Sequence, residues 1–483
     1  MGKFYVTTSI PYVNADPHIG FALEIVQADV LARYHRKKGD DTFFLTGTDE
    51  HGVKIVRAAE AEGKSPQDFV DGIAEKFKTL KGALNLSWDD FIRTSDKKRH
   101  WPGAQKLWLE LVKAGKIYKK KYRGLYCVGH EAFITEKDLV GGKCRDHQKE
   151  PEVIEEENWF FKLSDYTASI KSKIENGELR IVPEGRKNEI LSLAKEGFED
   201  VSFSRPRKDL SWGVPVPNDE EHTMYVWCDA LSNYITALGY GREKNGLERG
   251  IAERFSTFWP ADVHVIGKDI LRFHAAIWPG MLLAAGLPLP KTIFVHGFIT
   301  VGGEKMSKTV GNVVDPFEVV KKYGADALRY YLLREIPSSG DGDFTYEKFE
   351  ERYNGDLAKG LGNLVARVLT LAEKADVEPE AGLFSEIVKD AGKNVEAFFN
   401  DFRFSDALAV IWQLIAAGDK YIDDKKPWAL DSGSEEYRKT IGALLSLVSD
   451  IGGLVEPFLP ETSEKIAIAV KNKKSEILFP RLS

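Results

Sequence analysis

His18-Ile19-Gly20-Phe21 and, far downstream, Lys305-Met306-Ser307-Lys308-Thr309 are the two stretches of this 483-residue chain best equipped to do chemistry together. The first follows an apolar, β-prone run (Phe4 to Thr8) and a loop holding Pro11, Asn14, Asp16 and Pro17. It opens a helical pattern through Ala22, Ile25, Val26, Asp29 and Ala32. A helix start offers unpaired N–H groups and partial positive charge to an anion, and Gly20 removes the side chain that would hold a nucleotide off the backbone. His18 adds a donor where phosphate charge develops. The second stretch is flanked by Gly302-Gly303 and Gly311 and carries two lysines three residues apart, a loop able to close over phosphates. Together they predict a divided ATP site. Neither Gly-x-Gly-x-x-Gly after the first strand nor Gly-x4-Gly-Lys-Ser/Thr occurs, so the phosphates must be held in another way.

A second constellation is Cys127-x2-His130 and Cys144-x2-His147, two pairs separated by 13 residues. The spacing suits tetrahedral Cys2His2 zinc; the other reading is two buried cysteines and two surface histidines. With Cys228 the chain has only three cysteines, too few for a disulfide framework.

The elements that must position these groups follow from periodicity. Up to about residue 115, strand and helix signals alternate: Phe4 to Thr8, a helix from about Ile19, a strand at Thr42 to Leu45, then helices from Lys54 and Ala104. That order predicts a parallel sheet. From about Tyr118 the texture turns aromatic and glycine-broken, an inserted β-rich module ending near Pro217. The sheet then resumes, with strands expected at Thr223 to Trp227, Val263 to Ile266 and Thr292 to Val295. Beyond about Asp315 the pattern is helical to the end. Leu361, Leu364, Val365, Val368, Leu371 and Ala372 share one helix face and Leu408, Ile411, Trp412 and Ile415 another, which predicts a bundle.

The two opening stretches resemble the paired signatures of class I aminoacyl-tRNA synthetases. Ser9-Ile10-Pro11-Tyr12, Thr46-Gly47-Thr48-Asp49-Glu50-His51-Gly52, Tyr225-Val226-Trp227-Cys228-Asp229-Ala230, Ile266-Gly267-Lys268-Asp269 and His296-Gly297-Phe298 resemble the methionyl family of that class, from one end of the chain to the other. The resemblance implies an α/β chain: a Rossmann-type parallel sheet split by an inserted zinc-knuckle module, followed by an all-α anticodon-binding helical bundle. The expected divisions are 1–115 and 223–315 for the two halves of the catalytic domain, 116–222 for the module, 316–352 for a stem-contact linker and 353–483 for the bundle.

The activity implied is ATP-dependent ligation of L-methionine to tRNA(Met) through methionyl adenylate, with ATP bound as its Mg2+ complex. By resemblance His18, Lys305 and Lys308 are catalytic, and Gly20, Phe21, Gly267, Asp269, Lys305 and Lys308 bind ATP. The methionine pocket is expected from Ile10, Tyr12, Asp49, Trp227, Ala230, Leu231, Tyr234, Ile270 and His274. Its aromatic walls suit a polarizable thioether. Asp49 offers a carboxylate to the substrate's ammonium, with Arg205 expected to steady it. Cys127, His130, Cys144 and His147 are the expected zinc ligands, and Asn363, Arg367 and Trp428 the anticodon readers. The chain departs from the family pattern at Phe21, where the signature has a second histidine, and at His130, where it usually has cysteine. Two alternatives stay open: a class I synthetase for leucine or isoleucine, and a tRNA-binding paralogue without catalysis.

A net charge of −7 excludes a generally basic nucleic-acid binder and leaves local recognition of RNA. The basic run Lys119-Lys120-Lys121 with Arg123 reads as a solvated face, with acceptor-stem contact as the other reading. No run of about 18 apolar residues is present, so no membrane is expected. A cytoplasmic monomer is the expectation.

Overall fold

The computed structural model describes residues 2–130, 132–242, 249–306, 311–475 and 477–482. The chain divides into two compact units: Met1–Pro17, Lys38–Thr79 and Trp88–Val295 form the first, and His18–Lys37, Leu80–Ser87 and His296–Ser483 the second.

The first unit is built on six strands: β1 (Lys3–Thr8), β2 (Asp41–Thr48), β3 (Asp90–Arg93), β4 (Arg180–Val182), β5 (Val263–Gly267) and β6 (Thr292–His296). They lie in the order β3-β2-β1-β5-β6-β4, and each pairing with a recorded register is parallel, Val6 facing Phe44 on one side and Val263 on the other. Tyr5, Val6, Phe44, Leu45, Val265, Ile266, Ile293 and Phe294 are buried, as strands covered on both faces require. The chain leaves β1 toward β2 and β3 on one side and returns through β5 and β6 on the other. Strand order therefore reverses between β1 and β5, where open α/β sheets bind ligands outside the strand carboxyl ends.

The inserted segment contributes an antiparallel sheet of Val201–Ser202, Glu152–Phe161, Ile117–Cys127 and Ala132–Ile134, in that order. It also supplies β4, the outer strand of the main sheet. Within the antiparallel sheet Lys121 faces Glu157 and Arg123 faces Glu155, while Lys119 pairs with Asp219 at 2.9 Å. The basic run is thus matched by acidic neighbours on an exposed strand, which favours the solvated-face reading.

The expected strand at Thr223 to Trp227 is a correction. Only His222–Met224 is extended, paired with Ser204–Pro206; the chain then turns into the helix Val226–Leu231 and a further turn, Asn233–Thr236. The β-prone side chains are overruled by tertiary contacts. Asp229 is drawn inward by two buried histidines, His51 Nδ1 and His100 Nε2, each 2.6 Å from one of its oxygens.

In the second unit, α1 (Ile19–Lys37) is almost fully buried through its first four turns. Its Asp29 pairs with Arg33 at 2.8 Å and with the buried Arg329 at 2.7 Å, and Arg329 also donates to the carbonyl oxygens of Phe458, Leu84 and Pro457. Those contacts satisfy a charge that would be costly to bury alone. The bundle comprises Asn363–Ala372, Ser385–Asn400, Phe404–Lys425, Glu435–Val455 and Pro460–Asn472. Every residue of the first predicted apolar face is buried, as are Leu408, Ile411 and Ile415 of the second; Trp412 is partly exposed. Among the described residues no helix is long and apolar enough to cross a membrane.

Candidate active site

In the first unit, three strand ends converge on one set of side chains. Asp49 follows β2; its N–H donates to the carbonyl oxygen of Pro11 at 2.9 Å, and the Val13 N–H donates to the carbonyl oxygen of Asp49 at 3.1 Å. These two bonds clamp Tyr12, in the loop after β1, beside Asp49, whose residue is only 5% exposed. Ile10 packs on the same core. Gly267 ends β5, and Asp269 and Ile270 sit in the single turn after it.

Trp227, Ala230, Leu231 and Tyr234 come from the Val226–Leu231 helix and the turn that follows it. The Trp227 ring stacks on Phe273, with centroids 3.7 Å apart and planes 8° from parallel, and meets His274 edge-on at 6.3 Å. Tyr234 O–H donates to His274 Nε2 at 2.7 Å, and His274 Nδ1–H donates to the carbonyl oxygen of Ile270 at 3.0 Å. Burial pushes the His274 pKa down to about 4, so the ring is neutral near pH 7 and this tautomer is fixed. His274 lies in a wide π-type turn, Phe273–Ile277, a distortion common at functional sites. Arg205 is held by Ser202 Oγ, the Ser204 carbonyl oxygen and Glu156, with its guanidinium between the rings of Tyr126 and Tyr225.

In the second unit, Gly20 N–H donates to His18 Nδ1 at 3.1 Å, and burial lowers the pKa of that histidine. The ring is therefore neutral, with Nε2–H left as a donor. A Cβ on Gly20 would lie 2.9 Å from the His18 ring and 3.5 Å from Met306 Cε, so this position must be small and the two signature stretches meet here. Phe21 is buried, with its N–H bonded to the His18 carbonyl oxygen. Lys305 is exposed and ends a hairpin of Ile299–Val301 with Glu304–Lys305, joined by Gly302 and Gly303. Both glycines have positive φ, 62° and 80°, as a tight two-residue hairpin demands. Its Nζ stands 5.6 Å from the Phe298 ring centroid. Ser307, Lys308 and Thr309 lie outside the described residues.

The knuckle residues gather as their spacing predicts: ligand atoms of Cys127, His130, Cys144 and His147 all lie within 4.8 Å of one another. Cys144 Sγ is 3.6 Å from Nδ1 of both His130 and His147, and Cys127 Sγ is 3.7 Å from His147 Nδ1. Bonds of about 2.3 Å to sulfur and 2.0–2.1 Å to nitrogen put tetrahedral S···N edges near 3.6 Å, so this donor set fits zinc. His130 Nε2 faces Asp146 at 3.0 Å, the outer carboxylate that commonly orients a ligating imidazole.

In the bundle, Arg367 pairs with Asp419 at 3.1 Å and Asp423 at 2.6 Å, and its guanidinium is 5.9 Å from the Trp428 ring centroid. Trp428 is 55% exposed, and Asn363 lies one turn before Arg367 on the same helix. Sequence reading missed Phe273, His100 and Lys54; only the last has a local signal, its place in the helix that follows Asp49.

A family model described as tRNA synthetases class I (M) matches residues 4–150 and 134–369, and one described as the anticodon binding domain of methionyl tRNA ligase matches residues 373–481. The chain belongs to the class I tRNA synthetases. Within that class its family is the methionyl one: it is 44% identical over 513 residues to a methionine–tRNA ligase of Caldanaerobacter subterraneus, spanning 99% of this chain and 79% of that one. The corresponding ligase of Brucella suis is 43% identical over 485 residues, spanning 96% and 91%. Among solved structures, Mycobacterium tuberculosis methionyl-tRNA synthetase in complex with methionyl-adenylate has a TM-score of 0.92 at 38% identity, covering 98% of this chain and 96% of that one. The apo form of that enzyme has a TM-score of 0.84 at 34% identity, covering 100% and 99%.

Proposed function

We infer that the chain joins L-methionine to tRNA(Met) in two steps. The methionine carboxylate attacks the α-phosphorus of ATP·Mg2+, pyrophosphate leaves, and a terminal ribose hydroxyl of the tRNA then takes the methionyl group as AMP departs. Neither step needs a covalent enzyme intermediate. The protein's work is to align reactants and stabilise charge building on phosphate oxygens.

The observation that carries this reading is the buried Asp49 carboxylate clamped beside Tyr12 at the strand-order reversal. Asp49 receives the substrate's α-ammonium. Ile10, Tyr12, Trp227, Ala230, Leu231, Tyr234, Ile270 and His274 enclose the thioether, which aromatic rings favour. Gly267 and Asp269 hold adenosine; His18 Nε2–H and the lysines at 305 and 308 meet the phosphates, with Gly20 leaving room for them beside the His18 ring. Phe21 acts there through packing, since its ring has no proton to donate. Zinc at Cys127, His130, Cys144 and His147 cross-links the inserted module and takes no part in either step. Trp428 stacks an anticodon base, and Asn363 and Arg367 bond to base edges.

Titration calorimetry with L-methionine tests the reading. The unmodified chain binds it and Asp49→Asn binds at least about tenfold more weakly, a charge-assisted contact being worth about 1.5–3 kcal/mol. Equal affinities would remove Asp49 from the pocket.

A further inference from the structure

Lys54 lies in α2 (Val53–Ala61), the helix that begins four residues after Asp49. Its ammonium reaches two places at once. Nζ donates to the carbonyl oxygen of Gly129, inside the turn between Cys127 and His130, and stands 5.4 Å from the centroid of the Tyr12 ring. Each end is fixed independently. Tyr12 is clamped to Asp49 by the two backbone bonds on either side of it. Gly129 presses on a knuckle ligand so closely that a Cβ there would lie 2.2 Å from the His147 ring.

A second cation, Arg205, also joins two segments. Arg205 sits between Tyr126, which precedes Cys127, and Tyr225, which precedes the helix of Trp227, with ring centroids 5.2 and 4.8 Å from the guanidinium carbon. The knuckle turn is thus tied to Tyr12 through Lys54, although none of the four knuckle ligands belongs to the amino-acid pocket. An ammonium suits the Tyr12 tie. It donates to a carbonyl while its charge faces a ring, and partial burial strengthens both contacts.

We propose that Lys54 is a positioning residue, which sets the Tyr12 wall of the methionine pocket at a place fixed by the knuckle turn. The proposal rests on the functional reading above, in which Tyr12 lines that pocket and the knuckle holds zinc. Its consequence is that knuckle occupancy and methionine affinity are linked through one side chain.

The test is calorimetry with L-methionine on zinc-loaded and chelator-treated protein, for the unmodified chain, Lys54→Met and Lys54→Arg, with zinc content measured alongside. Lys54→Met is expected to keep its zinc and to bind methionine about 3- to 30-fold more weakly, the range from an exposed to a desolvated cation–ring contact. The KM for ATP in pyrophosphate exchange should stay within about twofold, a split that general loosening of the fold would not give. Lys54→Arg, which keeps the charge and a donor, should recover most of the loss. Removing zinc should weaken methionine binding in the unmodified chain and add little in Lys54→Met, because both act through the same link. Methionine binding by Lys54→Met at the unmodified affinity, or losses from substitution and chelation that multiply, would overturn the proposal. An unmodified chain that bound neither methionine nor zinc would instead refute the functional reading, and the proposal with it.

Discussion

The hydroxyl of Tyr234 donates to Nε2 of His274 across 2.7 Å, and both residues are about 1% exposed. With Nδ1–H bonded to the Ile270 carbonyl oxygen, neither nitrogen of the imidazole is free to change role. A neutral ring and a phenol oxygen are therefore held in one fixed arrangement. Tyr234→Phe leaves Nε2 as a buried acceptor without its donor. The expected cost is about 1–3 kcal/mol of stability, read from chemical denaturation, with weaker methionine binding and an unchanged KM for ATP.

The same ring sets a pH dependence. Its folded pKa, about 4, lies below the ordinary value of 6.5 because burial disfavours the charged form. The unfolded chain therefore binds the proton first as pH falls. The stability associated with a neutral His274 is complete above pH 6.5 and is lost as pH drops toward 4, at up to about 1.4 kcal/mol per pH unit for one proton. His274→Gln has no proton to take up. Its melting temperature should fall less steeply than that of the unmodified chain between pH 6.5 and 4.5, and parallel curves would contradict the assignment.

At the knuckle, Asp146→Ala removes the carboxylate facing His130 Nε2 and is expected to weaken zinc binding about 10- to 100-fold in a competition titration. Gly129→Ala drives a methyl into the His147 ring, since its Cβ would sit 2.2 Å away, and should lose the metal more completely. Unchanged zinc affinity in both variants would show that neither Asp146 nor the turn at Gly129 bears on the metal site.

In the bundle, the exposure of Trp428 separates recognition from folding. Trp428→Ala should change stability by no more than about 0.5 kcal/mol while removing a stacking contact worth about 1–3 kcal/mol toward tRNA. The expected pattern is a raised KM for tRNA(Met) with unchanged pyrophosphate exchange. Arg367→Ala should give the same split, sharpened because Asp419 and Asp423 would then face the RNA without their cation.

Much of this was legible from local pattern. Phe4 to Thr8, Val263 to Ile266 and Thr292 to Val295 are apolar runs bounded by turn residues, and they are strands. Cys-x2-His repeated at short range gathers its own ligands. The error at Thr223 to Trp227 was avoidable: Trp227, Ala230, Leu231 and Tyr234 are spaced i, i+3, i+4 and i+7, a helical spacing obscured by the β-prone composition around Trp227. Strand β4 was out of reach, because Arg-Ile-Val is too short to carry a period and is extended only by pairing with β6. Phe273 and the His100–Asp229 bond were hidden for another reason. Their partners lie 46 and 129 residues away, and only the fold makes them neighbours.

Pyrophosphate exchange into ATP, measured in turn with each of the twenty amino acids, tests the central claim most directly. Methionine should drive exchange, and leucine and isoleucine should do so at least about a hundredfold less efficiently, near the limit for an apolar pocket of fixed shape. No exchange with methionine, from protein that still binds tRNA(Met), would contradict the assignment of adenylate formation to this chain.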